Sequence, residues 1–238
     1  MEKYKLQKIP RRFELSATEE TTVMYLYGYV TSVDYWNDGD VIATADVLAA
    51  LKKVTTPNLD IHINSFGGSA FDGIAIHNLL KQHSAKVTAY IDGIAASAAS
   101  IIALGASEVV MPENAMMMIH CASTIAWGNA KELRKEADDL EKIDEAVRTS
   151  YMSKFNGTEK QLITLLENET WLTAKDALKV GLCDEILTTE PTPEPAPAPD
   201  NMAEVTKALG IKPTNHKLPI TLNANKVMAA FLNGLNGE

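Results

Sequence analysis

The chain has 238 residues, enough for one sizeable domain and an appendage, and its 46% hydrophobic and 22% charged residues are typical of a globular protein. Its net charge of −9 argues against a general affinity for nucleic acids or anionic membranes. The apolar stretch 94–106 is too short to span a bilayer, and the charged segment 1–5 leads into no apolar signal core, so a cytoplasmic protein is expected.

Strands and helices alternate along residues 1–187. In chain order, the hydrophobic pattern predicts strand Val23–Val30, helix Asp40–Val54, strand Leu59–Ile63, helix Asp72–His83, strand Val87–Ile91, a helix after Ser97, strands Glu108–Met111 and Ala115–Ile119, helices Lys131–Phe155, Thr158–Glu167 and Thr173–Val180, and strand Cys183–Leu187. Repeated βα units predict an α/β fold in which helices cover parallel strands.

The segment 188–200 divides the chain, because it contains five of the ten prolines. Such a segment cannot form a helix or a sheet ladder, and it predicts an extended linker. Residues 1–187 therefore form the main domain. Residues 201–238 are a flexible tail that has too few large apolar side chains for a core of its own.

Ser97 is the first candidate for chemistry. It follows a strand, stands among the small residues 93–100, and begins an apolar helix. A hydroxyl at a helix N-terminus lies in a positive field that favours a developing negative charge, so this position suits a nucleophile. The alternative is a helix start whose small residues only allow close packing.

Two further features fit a nucleophilic serine. Gly67 and Gly68 end a strand, and two adjacent glycines allow a sharp turn that exposes backbone N–H groups to an oxyanion. A simple tight turn or a phosphate-binding turn is the alternative. His120 ends the apolar strand 115–119 and could accept the serine proton near neutral pH.

The acid that would orient the histidine is less well defined. Glu169 lies in a loop between two helices and is the best candidate, while Asp92 and Glu113 stay open as alternatives. Cys121 directly follows His120, but adjacent residues on a strand point to opposite faces, so we interpret it as a small apolar residue and not as a thiol nucleophile.

Four blocks of the sequence, taken together and in this order, resemble the ClpP-type serine peptidases: Ile63–Gly68, Gly93–Ser97, Met118–His120, and Glu169–Ala174 leading to Gly181-Leu182. The resemblance implies a crotonase-like fold, a spiral of βαβ units from which the helix Lys131–Phe155 protrudes as a handle between two homo-oligomeric rings.

The same resemblance implies roles for single residues. Ser97 would be the nucleophile, His120 the general base and Glu169 the orienting acid, and the N–H groups of Gly68 and Ala98 would form the oxyanion hole. The substrates would be proteins or peptides. No cofactor and no metal is expected.

Departures from the family pattern narrow the expected role. Phe66 replaces the usual proline, Glu169 replaces the usual aspartate, and the linker and tail are additional. In these respects the chain resembles the head maturation proteases of tailed phages and prophages. This predicts a serine endopeptidase that processes capsid and scaffold proteins in the bacterial host cytoplasm, with a tail that could itself act as scaffold. A housekeeping ATP-dependent Clp subunit and a non-proteolytic crotonase-fold protein that binds acyl-CoA or a partner are the alternatives.

Overall fold

A single nine-stranded sheet forms the centre of the part of the chain that the structure, a computed structural model, describes: residues 9–33 and 41–188. The strands are β1 (Arg12–Ala17), β2 (Thr21–Val30), β3 (Val41–Ile42), β4 (Asn58–Gly68), β5 (Lys86–Ala96), β6 (Glu108–Pro112), β7 (Met116–Ile119), β8 (Thr170–Thr173) and β9 (Glu185–Leu187). The helices are α1 (Thr44–Leu51), α2 (Ala70–Lys81), α3 (Ala98–Ala103), α4 (Ala130–Met152), α5 (Glu159–Glu167) and α6 (Ala174–Lys179).

The order of the strands in the sheet only partly follows their order along the chain. The main path is β1-β2-β4-β5-β6-β9, in which all neighbours from β2 onward are parallel. β7 runs parallel to the end of β5, and β8 pairs with β7. The fold is therefore mixed α/β. The antiparallel pairs β1–β2 and β7–β8 depart from the all-parallel sheet that the sequence predicted.

Alternation of buried side chains along β2 and β4 fixes which sheet face meets the core. Every second residue of both strands is buried, as expected for a sheet with one covered face. These residues are joined by the apolar side chains of β5 and by α3, which lies against β4, β5 and α2. The result is a rigid support for the turns that follow β4, β5 and β7.

Several predicted boundaries differ from the structure. The strands predicted at Leu59–Ile63 and Val87–Ile91 continue through polar and glycine residues to Gly68 and Ala96. The helix predicted at Asp40–Val54 begins only at Thr44, because Val41–Ile42 pairs with β2. The capping box predicted at the start of α5, Thr158 with Gln161, is confirmed.

The predicted linker 188–200 and tail 201–238 lie, apart from Thr188, outside the described residues, so both stay predictions. Within residues 9–33 and 41–188, no helix is long and apolar enough to cross a membrane.

Candidate active site

Ser97 lies in a sharp turn between the end of β5 and the start of α3. Its backbone has φ 54°, a left-handed conformation that costs a non-glycine residue about 1–3 kcal/mol and that occurs mainly at functional sites. The N–H of Ser97 donates to the carbonyl oxygen of Met118 at 2.9 Å, which ties the turn to β7. Although Ser97 is the N-cap residue of α3, its side chain does not cap the helix. The hydroxyl is therefore left for another partner.

That partner is His120, whose Nε2 lies 2.7 Å from Oγ of Ser97. The sheet explains the proximity, because β7 runs parallel beside the end of β5 with Ala96 next to Met118. The residue that follows β5 and the residue that follows β7 thus meet at one edge. A serine hydroxyl in hydrogen-bond contact with an imidazole is the arrangement of an activated nucleophile and its base.

The backbone of Glu169 lies beside the backbone of His120, but the Glu169 carboxylate is not hydrogen-bonded to the imidazole. The β7–β8 ladder pairs Ile119 with Thr170, which places the next residues, His120 and Glu169, at adjacent positions. Glu169 has φ 46° and an exposed side chain. Among the hydrogen bonds of the described residues, none joins its carboxylate to His120. The structure thus brings Ser97 and His120 together and leaves the third predicted member turned outward.

The two alternative acids have other partners. The carboxylate of Asp92 accepts hydrogen bonds from the hydroxyl of Tyr27 at 2.5 Å and from Nδ1 of His62 at 2.9 Å. Burial opposes ionisation of Asp92, but these two hydrogen bonds outweigh it and lower its pKa. Glu113 forms an ion pair of 3.7 Å with Lys175. Both carboxylates are therefore engaged away from the Ser97–His120 pair.

The diglycine turn touches the Ser97 turn directly. A Cβ atom built on Gly67 would lie 2.5 Å from the carbonyl oxygen of Ala96 and 2.8 Å from the nitrogen of Ala98, so only glycine fits. Gly67 also has φ 89°, which favours glycine independently. Ala98 is the first residue of α3, where backbone N–H groups have no acceptor within the helix. Donors of this kind are suited to an oxyanion.

Ser65 supports this turn, although sequence reasoning assigned it no role of its own. Its side chain is completely buried, its hydroxyl donates to the carbonyl oxygen of Gly28 at 2.6 Å, and it accepts from the N–H of Gly67 at 3.0 Å. The two hydrogen bonds fix the glycine turn relative to β2. A buried serine within the irregular end of a strand carries no pattern in a single sequence that would distinguish this role from ordinary packing.

A groove of about 510 Å³ opens over the site. Ser97 and His120 lie in its wall together with Gly68 and Ala98, the two residues predicted to supply oxyanion donors. Another part of the wall is formed by one face of α4, whose members follow the helical spacing of three and four: Glu136, Leu140, Ile143, Val147 and Tyr151. A peptide could therefore lie along α4 with a backbone carbonyl at Ser97.

Cys121 does not have the properties of a nucleophile. It is half-buried, and burial followed by the nearby charge of Asp144 raises the pKa of its thiol, so the protonated form is favoured. Asp144 also accepts the N–H of Ala122 at 2.6 Å and so holds the segment that follows His120. Among the described residues, no group of three or more histidine, cysteine, aspartate or glutamate side chains could hold a metal ion.

The similarity of the chain to known proteins extends over most of its described residues. The family model described as Clp protease matches residues 29–190, more than half of the chain. The chain belongs to the Clp protease family. Membership identifies the protein as a serine-type peptidase, a hydrolase.

Three relatives show the extent of the similarity. The ATP-dependent Clp protease proteolytic subunit of Oltmannsiellopsis viridis is 29% identical over 134 residues, 55% of this chain and 68% of the relative. Proteolytic subunit 1 of Protochlamydia amoebophila is 30% identical over 129 residues, 52% of this chain and 63% of the relative. The subunit of Deinococcus radiodurans is 25% identical over 132 residues, 54% of this chain and 64% of the relative. The chain thus spans about two thirds of the length of these relatives.

Proposed function

We propose that this chain is an endopeptidase in which Ser97, His120 and Glu169 act as nucleophile, general base and orienting acid. The observation that carries the proposal is the distance of 2.7 Å between Nε2 of His120 and Oγ of Ser97 in a strained strand-to-helix turn. Such a contact prepares the hydroxyl to lose its proton to the imidazole as it attacks a carbonyl carbon.

The reaction then follows from the surrounding groups. Nε2 of His120 takes the Ser97 proton while Oγ bonds to the substrate carbonyl carbon, and the N–H groups of Gly68 and Ala98 stabilise the oxyanion. His120 returns the proton to the leaving amine, and the peptide bond breaks. Water, deprotonated by the same imidazole, then hydrolyses the acyl-enzyme and regenerates the serine.

For Glu169 to take part, its carboxylate must turn from solvent toward Nδ1 of His120. The β7–β8 ladder already places the two residues side by side, so rotation about side-chain bonds is the movement required. Glutamate is one methylene longer than aspartate, which extends its reach. Catalytic hydrogen bonds of this kind often tighten only when substrate binds.

Labelling with a fluorophosphonate probe tests the nucleophile. Only an activated serine reacts readily, so we expect one label on the wild-type chain and none on Ser97→Ala. Peptide hydrolysis by Ser97→Ala should fall by on the order of a million-fold while the circular dichroism spectrum is unchanged. A Ser97→Ala variant that keeps several per cent of wild-type turnover would refute the assignment. Absence of labelling in the wild-type chain would favour the non-proteolytic alternative that binds acyl-CoA or a partner.

We further propose that the substrates are capsid and scaffold proteins of a phage head, processed in the bacterial host cytoplasm. The support is the resemblance to phage head maturation proteases, carried by the block Glu169–Thr173, the additional linker and the additional tail. This role requires cleavage of assembled protein substrates without an unfolding ATPase. Portal and capsid genes beside the coding sequence, and cleavage of the neighbouring scaffold protein by the purified chain, are the expected results.

The alternative role is an ATP-dependent housekeeping subunit, and the names of the relatives favour it. The two roles differ in one measurement. A housekeeping subunit should degrade a folded, tagged protein only when a partner ATPase and ATP are added, and should leave scaffold protein intact. Small-peptide hydrolysis does not depend on this choice.

In either role we propose a crotonase-like arrangement in which subunits form a homo-oligomeric ring and α4 is the protruding handle. The support is family membership together with the exposure of residues 130–138, the first part of α4. A ring would enclose the groove and limit access to unfolded segments of a substrate.

A further inference from the structure

Two buried hydroxyl groups lie behind the Ser97 turn. Tyr151 of α4 is 1% exposed and Ser100 of α3 is fully buried, and their oxygen atoms are 2.6 Å apart. The Ser100 hydroxyl is also 2.6 Å from the backbone carbonyl oxygen of Ser97. Three oxygen atoms therefore form a hydrogen-bonded chain, which runs from the Tyr151 hydroxyl through the Ser100 hydroxyl to the backbone carbonyl of Ser97.

The direction of both hydrogen bonds follows from proton counting. The Ser97 carbonyl can only accept, so Ser100 must donate its single proton to it. Oγ of Ser100 then has no proton left for Tyr151, and the phenol must be the donor to Oγ. Burial raises the pKa of the Tyr151 hydroxyl, which keeps the phenol protonated and able to donate. Hydrogen bonds that are linked in series and that donate in the same direction polarise and strengthen one another.

This hydrogen-bonded chain ends on the carbonyl of the peptide unit that links Ser97 to α3. Rotation of that peptide unit would change ψ of Ser97 and φ of Ala98, and so the way in which the strained residue, with its φ of 54°, joins the helix. The carbonyl oxygen is held by the N–H of Ser100 at 3.0 Å as well as by its hydroxyl. The N–H contact belongs to an ordinary helix start, whereas the hydroxyl contact is a side-chain hydrogen bond whose donor, Ser100, is itself polarised by Tyr151.

We propose that Tyr151 and Ser100 are positioning residues that hold Ser97 in its reactive conformation and couple α4 to the nucleophile. The inference rests on the proposed role of Ser97. Tyr151 is a buried residue of α4, and Leu140 and Ile143 of the same helix line the groove that contains Ser97. A substrate or a neighbouring subunit that moves α4 therefore also moves the hydrogen bond to Ser100.

The test uses four variants of the full chain: Tyr151→Phe, Ser100→Ala, the double variant, and Ser150→Ala. Ser150→Ala is the matched control, because Ser150 is a buried serine of α4 whose hydroxyl bonds only within that helix, to the carbonyl oxygen of Ala146. For each variant, kcat and KM are measured with a fluorogenic peptide, and acylation is timed with a fluorophosphonate probe. Rates are expressed per active site titrated, so that a loss of folded protein does not count as a loss of rate.

We expect Tyr151→Phe and Ser100→Ala each to lower kcat and the acylation rate about tenfold, with KM within about twofold of wild type. The double variant should be no slower than the slower single variant, because both substitutions break one chain. Ser150→Ala should match wild type. If Tyr151→Phe does not fold, Ser100→Ala carries the test alone.

Three results would overturn the proposal: wild-type rates in either single variant, losses that multiply to about a hundredfold in the double variant, or an equal loss in Ser150→Ala. Failure of the proposed function has a different signature, since Ser97→Ala would then keep its activity. If Ser97→Ala is inactive while Tyr151→Phe is fully active, the assignment of Ser97 as the nucleophile stands and only the positioning role is refuted.

Discussion

Glu169 is the residue whose contribution to catalysis is most open to measurement. We expect Glu169→Gln to keep the fold, because the side chain is exposed, and to lower kcat by up to roughly ten-thousand-fold. An amide can occupy the same place as the carboxylate, but it does not stabilise an imidazolium and can favour the wrong tautomer of His120. The measurement is kcat on a fluorogenic peptide with circular dichroism as the fold control.

Asp92→Asn is the comparison for that experiment, because Asp92 is the other acid in a histidine contact, with His62. We expect near-normal kcat for this variant. An inactive Asp92→Asn beside an active Glu169→Gln would show that the acid has been assigned to the wrong residue.

Single residues of the site differ in how far the sequence reveals them. Ser97 and His120 stand at the ends of apolar strands, and parallel strands bring such ends together, so their contact of 2.7 Å agrees with the sequence-based hypothesis. The orientation of Glu169 depends on its own left-handed backbone conformation just after α5, and no hydrophobic pattern indicates that conformation. Ser100 and Tyr151 are 51 residues apart, and each has the appearance of an ordinary helix residue.

At the scale of elements, the order and type of most helices and strands could be predicted, and their ends could not. β4 and β5 extend past the apolar run because β4 pairs with β2 as far as Gly68 and β5 pairs with β7 from Ile94 to Ala96. β1, β3 and β8 were not predicted. β8 is only four residues long and depends on its partner β7, a long-range contact that local propensity does not contain.

The helix α4 has two halves with different surroundings. Val147 and Tyr151, in the second half, are buried against the domain, whereas residues 130–138 are all exposed. The exposed half includes Leu133, and the segment just before it carries Ile125 and Trp127, which are 95% and 90% exposed. Residues 130–137 carry three basic and two acidic side chains, whereas residues 138–145 carry five acidic and one basic, so two antiparallel copies would place a weakly positive segment against a strongly negative one.

From this arrangement we expect the chain to self-associate through the first half of α4. The variant Trp127→Ser with Leu133→Gln should shift the protein toward monomer, because it removes two exposed apolar side chains from that surface. Light scattering at tens of micromolar is the measurement. Leu178→Gln, which changes an exposed leucine of α6, is the control and should keep the wild-type mass. A wild-type chain that is monomeric under these conditions would contradict the ring.

At the scale of the whole molecule, β9 is the last element that the main domain needs. It pairs with β6, and Ile186 packs against the core. Asp184, the residue just before β9, accepts the N–H of Val109 at 2.7 Å and binds Nζ of Lys154 at 2.7 Å. The contacts of residues 184–187 thus make β9 part of the main domain, and the boundary after Leu187 stays a prediction.

Two truncations locate this boundary. A chain that ends at Leu187 keeps β9, so we expect its thermal midpoint to stay within about 2–4 °C of the full chain, the equivalent of about 1 kcal/mol, and its hydrolysis of small peptides to be nearly unchanged. The linker and tail contain few large apolar residues, so they should add little to the free energy of unfolding. A chain that ends at Asp184 lacks β9 and exposes the edge of β6, and it should unfold at a clearly lower temperature. If the chain ending at Leu187 unfolds or loses hydrolysis to the same degree as the chain ending at Asp184, the tail packs on the domain and the boundary at Leu187 is wrong.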